Sequence, residues 1–439
     1  MKRLLPVLFV TVTISLMCLS NVNAATLEVC PNGGECTYEY TGGGAVNAIQ
    51  TAIDAAGDGD TVYIYNGTYA SPEMDLTSAH TGVTIEGEST AGVIFTESYF
   101  RIGSAVNGAS TNITVKNLTI QDSYDVNNGI EIVNSTGVVL RSLVITGSGG
   151  EGVKITGNAT VDFYNCKMST GSSAGLRING SGVEVDAYNV NIVSNTFQGV
   201  LVEDVSVFNI VNSRVASNGS VGIQVNQGST VDIRNTNVYS NTTYGMNVSS
   251  VTSLTNDYNN VYGNTSGAYT GDISAGANSL AVDPDLALTR VLNCTSNLIN
   301  AGDPSITDVD ESVSDIGMYG GSNSGFDGIN FVCSGDLFCH ITAETHTCIE
   351  CLLDSDCTGE ETCNTDTNVC EVLGAGDEPD DPGDSDPDPD TTETDDGDLP
   401  ATIVFKEDPV FYSILSVFLI TIGYILYAQR KYGKKKVGD

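Results

Sequence analysis

Residues 199–223 read GVLVEDVSVFNIVNSRVASNGSVGI, and the outline of this stretch repeats along much of the chain. Gly199 and Gly222 each precede a β-branched residue and a short alternating run of apolar and polar residues. The same glycine returns at steps of 23, 23, 24, 23 and 23 residues, at Gly129, Gly152, Gly175, Gly199, Gly222 and Gly245. A fixed period of this length is typical of a solenoid.

Asparagine marks two further columns with the same period. The first, which we call the turn ladder, has Ser142 at one position and asparagine at Asn117, Asn165, Asn189, Asn212, Asn235 and Asn259. The second contains Asn195, Asn218 and Asn241. Asparagine tolerates the left-handed dihedrals of tight turns, and stacked amides can hydrogen-bond along an axis. The two columns therefore predict tight turns at fixed points of every repeat.

Short strands separate these turns. Val231–Asn235 is one example, in which apolar and polar residues alternate and the apolar ones share a face. A helical repeat would need long amphipathic stretches without glycine or asparagine, and a leucine-rich repeat would need regularly spaced leucines. The sequence therefore predicts an all-β fold over residues 25–330, a parallel β-helix with three short strands per turn and ~4.8 Å between turns.

The N-terminal end of such a coil needs a cover, because it would otherwise expose strand edges and apolar interior. Residues Ala45–Ala56 have helical composition, with Val46, Ile49 and Ile53 spaced to lie on one face. We expect this segment to form a capping helix over the first turn.

The segments next to this cap resemble a known superfamily. Gly59–Tyr69 and Gly82–Gly87 resemble the first turns of the pectate-lyase-like right-handed parallel β-helix proteins. Asn300–Pro304 and Asp315–Gly321 are similar to the closing segment of bacterial β-helix surface proteins. The resemblance implies a right-handed coil and a family that includes polysaccharide lyases, glycoside hydrolases and uronate epimerases.

The two ends predict export and anchoring. Residues 1–24 combine a basic start, an apolar run and a small-residue exit, as a secretory signal peptide does. Residues 409–428 are uncharged and long enough for one transmembrane helix, and residues 429–439 form a basic tail that the positive-inside rule places in the cytoplasm. We expect a single-pass membrane protein with its bulk outside the cell.

Residues 371–408 predict an extended acidic, proline-rich stalk. At its end, Leu399, Pro400, Ala401 and Thr402 resemble a sortase-type sorting signal, with Ile403 where that signal has glycine. Covalent linkage to a cell wall and a retained membrane anchor both remain open, and both imply surface display.

Cysteine spacing predicts a disulfide-rich module over residues 331–370. Six cysteines are dense there, at Cys339, Cys348, Cys351, Cys357, Cys363 and Cys370, and three disulfides would stabilise so short a segment. Zinc binding with His340 and His346 is the alternative. Cys30 is close enough to pair with Cys36. A pair of Cys294 with Cys333 would leave Cys166 as a lone thiol buried in a turn of the β-helix.

The charge balance excludes nucleic-acid binding and indicates an affinity for cations. The chain has 55 acidic against 17 basic residues and a net charge of −38, which repels phosphate. A calcium site is expected at the densest acids near the end of the β-helix, Asp303, Asp308, Asp310 and Asp315, with Asp283 and Asp285 nearby. Asp122, Asp125 and Glu131 form a second candidate cluster.

The function expected from the sequence is adhesion or carbohydrate binding at the cell surface, without catalysis. The ligand would be an extracellular polysaccharide or a cell-surface glycan. The alternative is a surface-tethered polysaccharide lyase, glycoside hydrolase or uronate epimerase, in which Arg141, Arg177, Arg214 or Arg234 would bind uronates. A cleft that contains two carboxylates within ~10 Å of each other and an arginine would favour that alternative, whereas a flat face of Asn, Ser and Thr would exclude it.

Overall fold

The computed structural model describes most of the predicted β-helix and two short hairpins after it. The described residues are 24–41, 47–70, 74–77, 80–98, 100–105, 108–123, 126–204, 206–227, 230–286, 291–324, 338–341, 346–349, 361–364 and 369–372. All of them lie in the first of two compact units, residues 1–373. The predicted signal peptide, sorting-like motif, transmembrane span and basic tail lie outside the described residues, as does nearly all of the stalk. Within the described ranges, no helix is long and apolar enough to cross a membrane.

The chain coils through three strand columns, which we call faces A, B and C. Faces A and B together form an 18-stranded sheet, and face C is a nine-stranded sheet. Every pairing between successive turns in these described columns is parallel, and each strand pairs with the equivalent strand one turn on. This arrangement is the parallel β-helix that the 23-residue period predicted.

Face A begins with Thr26–Pro31, which pairs with Tyr38–Tyr40 and with Thr61–Ile64. Two long strands, Thr114–Gln121 and Val138–Thr146, run through both face A and face B. The other strands of face A are Thr61–Ile64, Thr84–Gly87, Thr160–Tyr164, Val183–Tyr188, Ser206–Val211, Thr230–Arg234 and Ser253–Asp257.

Face B follows face A after a corner, which is two residues long in most turns. Its other strands are Gly67–Ala70, Val93–Thr96, Lys167–Ser169, Asn191–Val193, Arg214–Ala216, Asn237–Tyr239 and Asn260–Tyr262.

Face C closes each turn of the coil. Its strands are Met74–Leu76, Phe100–Ile102, Ile130–Val133, Val153–Thr156, Leu176–Asn179, Val200–Glu203, Ile223–Asn226, Tyr244–Ser249 and Gly267–Gly271. Two antiparallel hairpins lie further along the chain, Phe338–Ile341 with His346–Ile349 and Glu361–Asn364 with Val369–Val372.

The core lies inside the coil, where alternate residues of each strand point. Leu176 and Ile178, for example, are fully buried, whereas Arg177 between them faces outward. Each fully buried aliphatic side chain contributes about 1.5–3 kcal/mol to stability. The hydrophobic effect therefore fixes the register, because a shift by one residue would turn every inward side chain out.

A helix covers the N-terminal end of this core. It spans Ala48–Ala55 and begins after Asn47, whose side chain accepts a hydrogen bond from the Gln50 backbone at 2.8 Å. Ile49 and Ile53, which the sequence placed on the core-facing side, are fully buried. Val46, the third residue of that predicted face, lies outside the described residues.

The turn ladder forms the corner between faces A and B. Asn117, Ser142, Asn165, Asn189, Asn212 and Asn235 have left-handed φ values between 49° and 59°. Asn259 does not belong to this column, which corrects the sequence alignment: the left-handed residue of that turn is Tyr258 (φ 53°). Asn259 is buried one position later, where its amide donates to the Ile233 carbonyl at 2.7 Å.

The second asparagine column is an interior hydrogen-bonded ladder. The side-chain amide of Asn195 donates to Asn218 at 3.1 Å, that of Asn218 to Asn241 at 3.0 Å, and that of Asn241 to Asn264 at 2.9 Å. Asn195, Asn218 and Asn241 are at most 2% exposed. We call these four residues the inner ladder.

The glycine column lies against the inner ladder. A Cβ atom on Gly199 would lie 2.7 Å from the Asn218 amide nitrogen and 2.7 Å from the Gly222 carbonyl oxygen. Glycine recurs there because successive turns approach each other too closely for any side chain.

Residues 300–324, which we call the strap, run back along the turn ladder. The Asp303 backbone donates to the Asn235 side chain at 2.7 Å, near the end of the coil. Further back, Asn189 donates to the Met318 and Gly320 carbonyls at 3.0 and 2.6 Å, and Asn165 donates to the Asn323 carbonyl at 2.8 Å. The turn ladder thus provides the attachment points for this segment.

Candidate functional site

Face C carries an outward row of polar side chains, one from each turn. The strand register aligns, in order, Asp75, Arg101, Glu131, Lys154, Arg177, Leu201, Gln224, Asn247 and Thr270. Apart from Leu201, every member can donate or accept hydrogen bonds through its side chain. We call this set the face C row.

The centre of the row is Arg177, which joins two carboxylates. Its guanidinium lies 3.2 Å from a Glu151 oxygen and 2.7 Å from a Glu203 oxygen, and Asn179 donates to the same Glu203 oxygen at 3.3 Å. Burial by itself would lower the pKa of Arg177, but hydrogen bonds to Glu151 and Glu203 outweigh it and raise that pKa. The guanidinium is therefore a fixed cation between two acids.

Glu131 organises the other charged half of the row. It lies 3.5 Å from Arg101 and 3.6 Å from Lys154, and Arg101 also lies 3.8 Å from Asp75. The sequence placed Glu131 in an acid cluster with Asp122 and Asp125. In the structure Glu131 lies between two cations, Asp122 accepts a hydrogen bond from Gln121 at 3.1 Å, and Asp125 is outside the described residues.

Face A carries an aromatic and acidic patch. The Arg141 guanidinium lies 4.3 Å above the Tyr164 ring, and Tyr164 stacks on Tyr188 with 5.5 Å between ring centroids. Asp162 and Asp186 lie in register on the same two turns. Asn209, one turn further, donates to Asp186 at 2.7 Å.

The two acids of this patch have different environments. Burial raises the pKa of Asp162, and the charges of Asp186 and Glu184 raise it further. Asp186 accepts the hydrogen bond from Asn209. The patch therefore places an acid with a raised pKa one turn away from an acid that accepts a side-chain hydrogen bond.

The two remaining candidate arginines lie near the strap. Arg234 pairs with Asp232 at 3.0 Å on its own strand and with Asp303 of the strap at 3.1 Å. Arg214 is 5% exposed and lies over the Tyr239 ring at 5.4 Å. Neither is a free uronate-binding group on an open strand face.

The four acids predicted to bind calcium lie in the strap, in different surroundings. Asp303 binds Arg234 and Ser305, and Asp310 is exposed and accepts from Ser312. Asp308 and Asp315 are 8% and 2% exposed, and an Asp308 oxygen accepts from the Asp315 backbone at 3.1 Å. Over the part of the chain that the structure describes, no group of three or more His, Cys, Asp or Glu side chains is placed to hold a metal ion. Calcium binding stays a prediction.

Burial controls the protonation of the Asp308–Asp315 pair. Burial and, to a smaller extent, the nearby Asp308 charge raise the pKa of Asp315, and a hydrogen bond from the Asn300 backbone opposes them, which leaves that pKa at about 8. Burial also raises the pKa of Asp308, despite hydrogen bonds from Gly321 and Asp315. These two acids therefore resist ionisation.

The cysteines with described side chains are structural. The Cys30–Cys36 disulfide is confirmed, and Cys294 is disulfide-bonded, while Cys333, its predicted partner, lies outside the described residues. Cys166 is a free thiol at 1% exposure, as predicted, and burial raises its pKa to about 12. For the module, only the hairpin registers are described, and they place Cys339 opposite Cys348 and Cys363 opposite Cys370.

The sequence identified Arg177 and Glu131 as candidate site residues but did not predict the face C row that contains them. The signal was present in the repeat, because Glu131, Lys154, Arg177, Leu201, Gln224 and Asn247 each lie two residues after a column glycine. Glu151 was missed because it precedes its strand, and its contact with Arg177 depends on the turn between faces B and C.

Comparison with known proteins now decides the handedness. Residues 102–265 match the family model described as right handed beta helix region. The coil formed by faces A, B and C is a right-handed parallel β-helix. The pectate lyase Pel9A has a similar structure, with a TM-score of 0.50 and 14% identity over 68% of this chain and 96% of that one.

Weaker structural matches include a viral and a bacterial protein. Geobacillus virus E2 ORF18 gives a TM-score of 0.39 at 11% identity over 54% of this chain, which spans only 57% of that protein. The A-module of Azotobacter vinelandii mannuronan C-5 epimerase AlgE4 gives 0.29 at 15% identity over 54% of this chain and 95% of the module. No curated protein matches the sequence. At these identities the likeness to solved structures establishes the fold alone.

Proposed function

We propose that the protein binds polysaccharide along face C, without catalysis, as a cell-surface protein. The observation that carries this proposal is the face C row with Arg177 fixed between Glu151 and Glu203. Planar carboxylate, amide and guanidinium groups suit the paired hydroxyls of sugars, because each can form two hydrogen bonds in one plane.

The geometry of the row favours a polymer over a small molecule. The row offers one side chain per turn, and turns are spaced ~4.8 Å apart, which is comparable to the length of one sugar unit in an extended chain. Successive sugars would therefore meet an equivalent position on successive turns.

The charge of the chain favours a neutral polysaccharide. A net charge of −38 repels polyanions at long range. The cations of the row, Arg101, Lys154 and Arg177, already lie beside acids of the same face. The structural likeness to a pectate lyase therefore does not decide the preferred ligand.

The test measures binding and cleavage in the same samples. The purified full chain and its Arg177→Gln and Arg141→Gln variants are incubated with neutral and acidic polysaccharides. We expect a neutral polysaccharide to bind uncleaved, and Arg177→Gln to weaken binding about tenfold through the loss of charged hydrogen bonds. Arg141→Gln, on face A, is the matched control. Unchanged binding by Arg177→Gln would contradict the proposal.

A second candidate function, glycoside hydrolysis on face A, is favoured by the Asp162–Asp186 pair. Carboxyl groups on adjacent turns approach the ~5–5.5 Å separation of retaining glycosidases. Asp162 would donate its proton to the leaving oxygen while Asp186 attacks the anomeric carbon, and water would then release the sugar from Asp186. Cleavage that is abolished by Asp162→Asn and retained by Asp232→Asn would establish this candidate in place of simple binding.

The surface location supports both candidates but rests on sequence. We propose that residues 1–24 direct export and that residues 409–428 hold the protein in the cell membrane. Proteolysis of intact cells should remove the β-helix domain and leave the basic tail protected.

A further inference from the structure

A pocket on face B, separate from the face C row, is lined mainly by two tyrosines. Tyr239 and Tyr262 lie in register on adjacent turns, and Ser240, Asp283, Pro284 and Leu286 complete the lining. The volume is about 210 Å³. Drug-sized ligands occupy pockets of about 300–1,000 Å³, so this pocket suits a smaller group.

Hydrogen bonds hold the segment with Asp283 against the tyrosines. Asn260 is fully buried, and its side chain accepts from the Val282 backbone nitrogen and donates to the Val282 carbonyl, each at 3.0 Å. Asp285, two residues after Asp283, accepts from the Asn293 and Thr295 side chains at 2.7 and 2.6 Å. These bonds hold the chain on both sides of Asp283, and the Asp283 carboxylate accepts a hydrogen bond from the Asp285 backbone at 3.0 Å.

Polar atoms of this region lack partners in the described structure. The Tyr239 hydroxyl forms no hydrogen bond with a described residue although Tyr239 is only 6% exposed. The Arg214 Nε, also without a partner among described residues, belongs to the guanidinium that lies over the Tyr239 ring. A ligand in the pocket would therefore lie beside a tyrosine whose hydroxyl has no partner among the described residues.

We propose that this pocket binds a single pyranose unit. Tyr262 is 39% exposed and offers an aromatic surface for the apolar face of a sugar ring. Asp283 would accept hydrogen bonds from ring hydroxyls. The volume is close to that of one ring, so the site would bind a chain end or a branch rather than a polymer backbone.

This site does not depend on the function proposed for face C, because the two share no residue. A glycan held along face C would gain a second contact if its side branch reached face B. The two proposals therefore fail separately, and monosaccharides distinguish them.

The test uses saturation-transfer NMR on the purified full chain with the methyl glycosides of glucose, galactose, mannose and N-acetylglucosamine. We expect at least one to bind, and Tyr262→Ala and Asp283→Asn each to weaken that binding about tenfold. Tyr188→Ala, which removes a partly buried tyrosine from face A, should leave it unchanged.

Two results would overturn the proposal that this pocket binds a pyranose unit. One is the absence of saturation transfer to all four glycosides. The other is binding that Arg177→Gln abolishes while Tyr262→Ala and Asp283→Asn do not, which would place the sugar on face C.

Discussion

The turn ladder and the inner ladder have the same period and are both rich in asparagine, yet they serve different purposes. Three of the four inner-ladder side chains are buried, and all four form hydrogen bonds to each other along the axis. Turn-ladder residues use their left-handed backbone to turn the corner and their amides to hold the strap. A recurring residue type therefore predicts a recurring position, whereas its role depends on which way the side chain points.

The largest loss of stability is expected from a substitution inside the coil. Asn218→Ala would remove an acceptor for the Asn195 backbone and side chain and donors to Asn241 and Ile192. Several buried groups would lose partners, so we expect a loss of about 3–5 kcal/mol in the free energy of unfolding. Denaturant titration measures it. Asn209→Ala, a half-buried outward position, should cost under about 1 kcal/mol, and an equal cost at both positions would contradict the distinction.

An intermediate effect is expected from pH, acting on the strap that covers the turn ladder. The pKa of Asp315 is raised from 3.8 to about 8, so folding favours its protonated form. That stabilisation is complete below pH 3.8 and is lost as the pH rises towards 8. Hydrogen exchange of strap amides should therefore accelerate over this range, with the exposed Asp310 and the buried Asp308 as the nearest other acids.

Asp315→Asn removes the titration while it keeps the size of the side chain. We expect the strap of this variant to exchange at a rate that changes much less with pH, after correction for the intrinsic rate. Asp310→Asn is the exposed control and should retain the wild-type profile. A strap whose protection is independent of pH in the unmodified chain would show that the buried pair does not control it.

The smallest change in stability is expected at the turn ladder, where two substitutions of one residue separate the role of the backbone from that of the side chain. Asn189→Gly removes the hydrogen bonds to Met318 and Gly320 but still favours the left-handed turn. Asn189→Ala removes the same hydrogen bonds and also disfavours the left-handed backbone. We expect both variants to loosen the strap in hydrogen exchange. Alanine should cost about 1 kcal/mol more than glycine in denaturant titration, because of its left-handed strain. Equal stabilities would mean that the turn carries no backbone strain.

Much of the fold could be predicted because the same residue type recurs wherever the backbone conformation or spacing allows few others. Gly199 and its equivalents mark close approach between turns, and Asn165 and its equivalents mark the left-handed corner. Asn259 misled the alignment because its turn residue is Tyr258. The strap could not be predicted, since its contacts with Asn189 and Asn165 span more than a hundred residues of sequence.

The candidate site was predicted only in part, for a physical reason. Arg177 is visible as a charged outward residue, but its two partners come from neighbouring turns, about 26 residues away on either side. Pairings of this kind follow from the register of the coil and not from local sequence. The Tyr239–Tyr262 pocket likewise depends on where residues 283–286 lie against face B.

The most direct test of polysaccharide binding on face C is carboxyl footprinting of the full chain with a bound neutral polysaccharide. Carbodiimide labelling, read by mass spectrometry, compares each acid with and without the ligand. We expect protection of Glu131, Glu151 and Glu203 on face C, and unchanged labelling of Asp162 and Asp186 on face A. Protection of Asp162 and Asp186 with no change at Glu203 would contradict the account and place the ligand on face A.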